Sequence, residues 1–259
     1  MRTEAESSEI PVLLLVGGLG TRLRSVLSDR PNPLAPIGAI SFLELLVLQL
    51  RAQGFRRLVM CTGFQADQVQ REFGDGRKWN VSIEYSEERQ PLGTAGAIKL
   101  AQGFFPHSSH FVVMNGDSFL ELDLPRMIEF HKEHGGMATI AARKAPDAAR
   151  YGTVHVDARQ KVTRFSEKTG LTGPGLINGG VYVFRREILQ YIPEGPCSLE
   201  KEVLPNILSL GVWALEQNGM FIDIGTPEDY ARAKAMHQKL AQAAGAESRT
   251  EPEKQVYRS

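Results

Sequence analysis

At 259 residues the chain is long enough for one large α/β domain or two small ones with a sizeable core, which excludes a peptide-sized or staple-dependent fold. Hydrophobic residues at 42% and charged residues at 23% exclude global disorder. Lysine plus arginine equal aspartate plus glutamate at 30 each, so there is no overall basic field to capture nucleic acid or an anionic membrane, and an anionic ligand needs a local site.

Residues 1–9 are polar, lack the apolar run of an export signal and are expected to be flexible. No segment reaches the roughly 18 uninterrupted apolar residues that span a bilayer. With only two cysteines, Cys61 and Cys197, the chain reads as a cytoplasmic protein without a disulfide framework. From Ile10 to Phe119 short apolar runs alternate with helical patterns, the signature of βαβ units and a largely parallel sheet. Strands are predicted at 11–16, 58–62, 81–85 and 111–114, and helices at 42–53, 66–73 and 95–102. The strand at 111–114 runs into the polar turn Asn115-Gly116-Asp117.

After a helix at 124–133 the pattern becomes more antiparallel, with strands at 138–143, 152–156, 162–167 and 179–184. His131 and His134 are read as solvated residues near that helix's end. A helix at 199–210, a strand at 213–216, the apolar segment 220–224 and a helix from Pro227, capped by Thr226, complete the pattern. Residues 10–240 are thus expected to form a single domain, and residues 241–259, rich in Ala, Gln, Glu and Ser, a disordered tail.

Gly17-Gly18-Leu19-Gly20-Thr21-Arg22-Leu23 follows the first strand directly. Glycines there let backbone amides approach phosphate oxygens, and Arg22 adds a guanidinium able to clamp them bidentately. Leu23 stands where the dinucleotide fingerprint needs a third glycine, and no Gly-Lys-Ser/Thr follows, so neither a nicotinamide dehydrogenase nor a P-loop is indicated. Asp117 lies at the carboxyl end of a buried strand, where open α/β sheets bind ligands, although by spacing alone it serves equally as an Asx-turn residue. Asp223 sits inside an apolar segment, where a carboxylate needs a partner or a metal.

These motifs, with Pro31-Asn32-Pro33-Leu34-Ala35-Pro36, Pro91-Leu92-Gly93-Thr94-Ala95-Gly96-Ala97, Glu167-Lys168, Asn178-Gly179-Gly180 and Phe221 to Pro227, resemble in order the signature of sugar-1-phosphate nucleotidylyltransferases. The resemblance spans Ile10 to Lys239. It is most like the short guanylyltransferases acting on D-glycero-α-D-manno-heptose 1-phosphate or mannose 1-phosphate. It implies a Rossmann-like three-layer α/β/α nucleotidyltransferase fold with a central mixed, mostly parallel sheet. Residues 10–119 would form a nucleotide-binding half and 120–240 a sugar-phosphate-binding half.

The implied reaction is attack of a sugar-1-phosphate oxygen on the α-phosphorus of a nucleoside triphosphate. The resemblance assigns catalysis to Arg22, Asp117, Lys168 and Asp223, with Mg²⁺ on Asp117 and Asp223. It assigns nucleotide binding to Gly17, Gly18, Gly20, Thr21, Asn32, Gln90, Gly93 and Thr94. Gln90 and Gly93 would contact the base, and Lys168 the sugar phosphate. Sugar binding falls to Asn178, Gly179, Gly180, Glu167, Glu200 and Tyr151. The partners are these two small molecules, with neither nucleic acid nor membrane, and relatives of this kind often form homo-oligomers.

One position departs from the pattern: where the family usually has lysine between Pro31 and Pro33, this chain has Asn32. Losing one such phosphate-facing charge removes about 3 kcal/mol of transition-state stabilisation. This opens a second reading, a sugar-nucleotide binding or regulatory homologue with weak catalysis. Asn32→Lys is expected to raise turnover by up to about a hundredfold in a pyrophosphate-release assay.

Overall fold

The computed structural model describes residues 9–167, 170 and 172–246. In chain order the strands are β1 (Val12–Leu15), β2 (Pro36–Ile37), β3 (Ile40–Ser41), β4 (Arg57–Thr62), β5 (Ser82–Glu87), β6 (His110–Asn115) and β7 (Ser118–Leu120). They continue with β8 (Ala138–Ala145), β9 (Thr153–Val156), β10 (Val162–Ser166), β11 (Gly175–Arg185), β12 (Val212–Glu216) and β13 (Phe221–Asp223). The helices used below are α1 (Phe42–Ala52), α2 (Ala66–Phe73), α3 (Gly93–Leu100), α4 (Leu124–His134), α5 (Pro227–Ala235) and α6 (His237–Ala243).

A nine-stranded sheet runs in the order β10-β9-β11-β6-β1-β4-β5, with β8 on β11 and β12 on β8. Strands β5, β4, β1 and β6 are mutually parallel, and β11 then runs antiparallel to β6. The fold is therefore the expected mixed sheet covered by helices. β1 is apolar throughout because both of its faces are covered. Val12 and Leu14 join a core with α1, α2 and α4, whereas Leu13 joins a second core with α3 and the 188–207 segment.

Local signals start the helices. Ser41 accepts from Glu44 N at 3.4 Å ahead of α1, Asp123 accepts from Arg126 N at 2.9 Å ahead of α4, and Thr226 caps α5 with Pro227 in its first turn. The single helix expected at 199–210 is broken into a π turn (Leu199–Val203), one α turn (Leu204–Asn206) and a 3₁₀ turn (Leu208–Leu210). Pro205 removes one amide donor from this stretch. The order expected to end near residue 240 extends through α6: Leu240 and Ala244 are fully buried against α1, which corrects the disorder reading for 241–246. Residues 1–8 and 247–259 lie outside the described residues. No described helix is long and apolar enough to cross a membrane.

His131, read as solvated, is 1% exposed. Its Nδ1 lies 2.9 Å from Thr139 Oγ1 on β8, and its ring meets His110 edge-on at 5.2 Å. Helical periodicity places it one turn after Met127 and Ile128, on the face turned to the sheet. His134, one turn on, is exposed. Burial, with smaller contributions from His110 and Arg185, holds the His131 imidazole down to about 4 from an ordinary 6.5. The unfolded chain takes up this proton near pH 6.5 and the folded chain does not. The stability this site contributes is therefore complete above pH 6.5 and is lost as the pH falls toward 4, by about 3 kcal/mol at most. His131→Gln, which cannot titrate, is expected to flatten the fall of Tm between pH 6.5 and 4, whatever it costs at pH 8.

Candidate active site

The carboxyl ends of β1, β4 and β6 open onto a cleft of about 380 Å³. Val16 N donates to Cys61 O at 2.9 Å, carrying the β1–β4 pairing one residue further before the glycine-rich turn leaves the sheet. Gly17, Gly18, Gly20 and Arg22 line the cleft, while Thr21 is exposed and does not. Gly20 has φ +59°, and a Cβ on it would stand 2.4 Å from Asn32 Oδ1, so the turn rests directly on Asn32. Asn32 itself is 8% exposed and lines the cleft floor.

Asp117 follows β6 and precedes β7, and Asp223 ends β13. β7 and β13 pair antiparallel with Asp223 opposite Ser118, and Ile224 N donates to Asp117 O at 2.9 Å. The two carboxylates thus sit at neighbouring strand positions and both line the cleft. Asp223 Oδ1 accepts from Gly225 N at 2.7 Å, and a Cβ on Gly225 would lie 2.8 Å from that oxygen and 2.9 Å from Arg22 Nη2. The glycine turn and the acid pair therefore meet at one corner.

The opposite wall comes from β11 and the loop before β9. Between Asn178 and Tyr182 the β11–β8 register slips, which turns Asn178 and Gly180 into the cleft. Tyr151, Gly152 and Glu167 complete this wall. Tyr151 meets Phe221 edge-on at 5.6 Å, and burial raises its phenol, helped by Asp229 and Asp223. Arg150 straps the same loop to the start of α5: it pairs with Asp229 and donates to Thr226 Oγ1 at 3.2 Å. Glu200, on the π turn, also lines the cleft and accepts from Thr94 Oγ1 at 2.7 Å.

Three expected site residues fall elsewhere. Gly179 is buried outside the cleft lining, where a Cβ would meet Leu120 Cδ2 at 2.6 Å, so the position has no room for a side chain. Gln90 is exposed beyond the end of β5 and stays off the cleft. Thr21 has been placed above. Lys168 lies outside the described residues. Gly93 and Thr94 do line the cleft, but the start of α3 is closed to anions: Ala95 N and Gly96 N donate to Cys197 O at 3.0 and 3.3 Å.

Glu88 is the functional candidate missed by sequence. Its amide donates to Thr62 O at 2.9 Å, extending β5 past the predicted end and bringing the side chain into the cleft. Glu88 Oε2 accepts from Leu92 N at 3.0 Å, and Oε1 lies against Gly17 and Gly63. Desolvation raises its carboxyl above the ordinary value. The available signal was the acidic pair Glu87-Glu88 ahead of Pro91, hidden because the strand was ended at Tyr85.

A family model described as nucleotidyl transferase matches residues 11–239. The chain is 36% identical over 219 residues to a D-glycero-alpha-D-manno-heptose 1-phosphate guanylyltransferase of Campylobacter jejuni, covering 84% of this chain and 96% of that one. It is 33% identical over 231 residues to a mannose-1-phosphate guanylyltransferase of Mycobacterium tuberculosis, of which it spans 64% with 88% of its own length. The solved structure of HddC from Yersinia pseudotuberculosis complexed with GMP-PN matches with a TM-score of 0.78 at 35% identity, over 87% of this chain and 98% of that one.

Gly180 has φ +73°, and a Cβ on it would stand 2.7 Å from Ser118 Oγ and 2.9 Å from Asn115 Nδ2. Gly180→Ala is expected to cost about 1–3 kcal/mol. Calorimetry would read this as a fall in Tm of about 2–10 °C.

Proposed function

The chain belongs to the nucleotidyl transferase family, and from that premise we propose that it joins a sugar 1-phosphate of the heptose or mannose type to GTP, giving the GDP-sugar and pyrophosphate. The observation that carries this reading is the meeting of Arg22, the glycine turn and the Asp117–Asp223 pair in one cleft with the Asn178 wall facing them. A phosphate oxygen of the sugar attacks the α-phosphorus, one P–O bond forms, and the bond to the β-phosphate breaks. The attacking oxygen is already anionic, so no general base is needed, and the work of the site is alignment and charge neutralisation.

Among the described lining residues the cleft carries five carboxylates (Glu88, Asp117, Glu167, Glu200 and Asp223) and one guanidinium, Arg22. Such a lining repels two phosphorylated substrates unless cations enter with them. Asp117 and Asp223 supply two hard oxygen donors at neighbouring positions, which fits Mg²⁺ completed by phosphate oxygens and water. Among the described residues no group of three or more His, Cys, Asp or Glu side chains is arranged to hold a metal by itself. When bound, the ion would neutralise phosphate charge as it develops. Arg22 and the turn amides hold the triphosphate, and Lys168 is assigned to the sugar phosphate.

Support for guanine comes from Glu88. Guanine offers two adjacent donors, its ring N–H and exocyclic amine, to a carboxylate acceptor, whereas adenine presents an acceptor at the corresponding ring nitrogen. The second reading, a binding or regulatory homologue, is favoured by Asn32 alone.

Pyrophosphate release tested with GTP, UTP, CTP, ATP and dTTP against hexose and heptose 1-phosphates should show turnover with GTP and a mannose-configured sugar, abolished by EDTA and restored by Mg²⁺. Silence from both this chain and Asn32→Lys, with GTP still bound, would replace the first reading by the second. Glu88→Ala is expected to lower kcat/KM for GTP by about 10–100-fold, with a smaller effect on any residual use of ATP.

A further inference from the structure

Tyr182 is fully buried in the centre of β11, opposite Val113 of β6 and Ile140 of β8, and stacks on Phe184 at 5.6 Å. It takes no part in the mechanism above, yet its hydroxyl joins two residues of the cleft wall. It donates to Glu200 Oε1 at 3.2 Å and accepts from Asn178 Nδ2 at 2.6 Å.

The direction of each bond follows from donor counting. Thr94 Oγ1 accepts from Leu199 N at 2.8 Å, so its proton goes to Glu200 Oε2, and Ser198 Oγ adds a third bond at 3.4 Å. As a carboxylate, Glu200 only accepts, which commits the single Tyr182 proton to it. Burial, with the Glu200 charge beside it, pushes the phenol well above its ordinary value, so the proton stays on tyrosine. Tyr182 can then only accept from Asn178, and the amide nitrogen must face it. From the other side Gly180 N donates to Asn178 Oδ1 at 3.1 Å, which requires the carbonyl there. The Asn178 amide is fixed at both ends. One N–H and one oxygen lone pair remain for the cleft, matching a hydroxyl that accepts from one and donates to the other.

We propose that Tyr182 is a positioning residue for sugar selection: through Glu200 it locks the Asn178 amide so that the site demands a hydroxyl at one position of the sugar 1-phosphate. The inference rests on the nucleotidyl-transfer reading and names the residue that sets its sugar preference. A site committed to a buried hydroxyl partner rejects the analogue lacking it far more strongly than a merely apolar pocket does.

Tyr182→Phe keeps the ring in the core and removes one oxygen. Steady-state kinetics would compare both proteins on the preferred sugar 1-phosphate and its monodeoxy analogues, with Tm measured alongside. The unsubstituted chain is expected to reject one monodeoxy analogue by about a hundredfold or more. In Tyr182→Phe the KM for the sugar 1-phosphate should rise about tenfold, the penalty on that one analogue should fall about tenfold, and the KM for GTP should stay within about twofold. A folded Tyr182→Phe protein whose sugar KM and deoxy penalty are unchanged, or which loses kcat equally on every sugar, overturns the proposal. Absence of turnover in both the unsubstituted chain and Asn32→Lys on every pair overturns the nucleotidyl-transfer reading, and this inference with it.

Discussion

Two carboxylates far apart in sequence, Asp117 and Asp223, stand side by side because β7 and β13 form a ladder of three residue pairs. Like charges at such positions repel, so the ladder cannot rely on the acids it carries and needs support from behind. Its middle pair, Phe119 and Ile222, is fully buried. Helix α1 and the residue that ends it supply the polar half of that support: Gln49 Nε2 donates to Leu120 O at 2.7 Å, and Gln53 Oε1 accepts from Leu124 N at 2.8 Å. Glu121 closes the end of the ladder, its amide donating to Met220 O and its carboxylate accepting from Met220 N. A helix that lends no residue to the cleft thus fixes the geometry of its acid corner.

Much of this was legible in the sequence. Apolar runs located the strands of the main sheet, and Thr226 and Pro227 marked a helix start that the structure keeps. The ordered motifs named the glycine turn, Asp117, Asp223 and Asn178, which the structure brings to one cleft. What stayed hidden depended on tertiary partners. The burial of His131 is decided by β8 packing over it, and the order of α6 by the apolar surface of α1; neither covering element is visible from local composition. That Glu88 and not Gln90 lines the cleft turned on where β5 ends, a matter of three residues that the ladder to Thr62 decides.

The balance of charge over the whole chain conceals a local imbalance. Counting all residues gives a net charge of zero, yet the described cleft lining is acidic apart from Arg22. The carboxylates are not interchangeable. Glu200 accepts from three hydroxyl donors and ties α3, β11 and the π turn together, Glu88 keeps one oxygen toward the glycine turns, and Asp117 and Asp223 sit where the strands end. Each carboxylate has a different task, set by its neighbours and not by its residue type.

The cleft also straddles a change in strand direction. On one side of β6 lies the parallel block that carries the glycine turn; on the other lies β11, which pairs with β6, β8 and β9 and carries Asn178. Among the described residues the β6–β11 ladder alone joins the two sides within the sheet path. The β8–β9 and β9–β10 loops can therefore be lengthened, shortened or resequenced without disturbing the parallel block. In evolutionary terms the seam makes the molecule modular: one ligand's pocket can drift toward new chemistry under selection while the other is inherited intact.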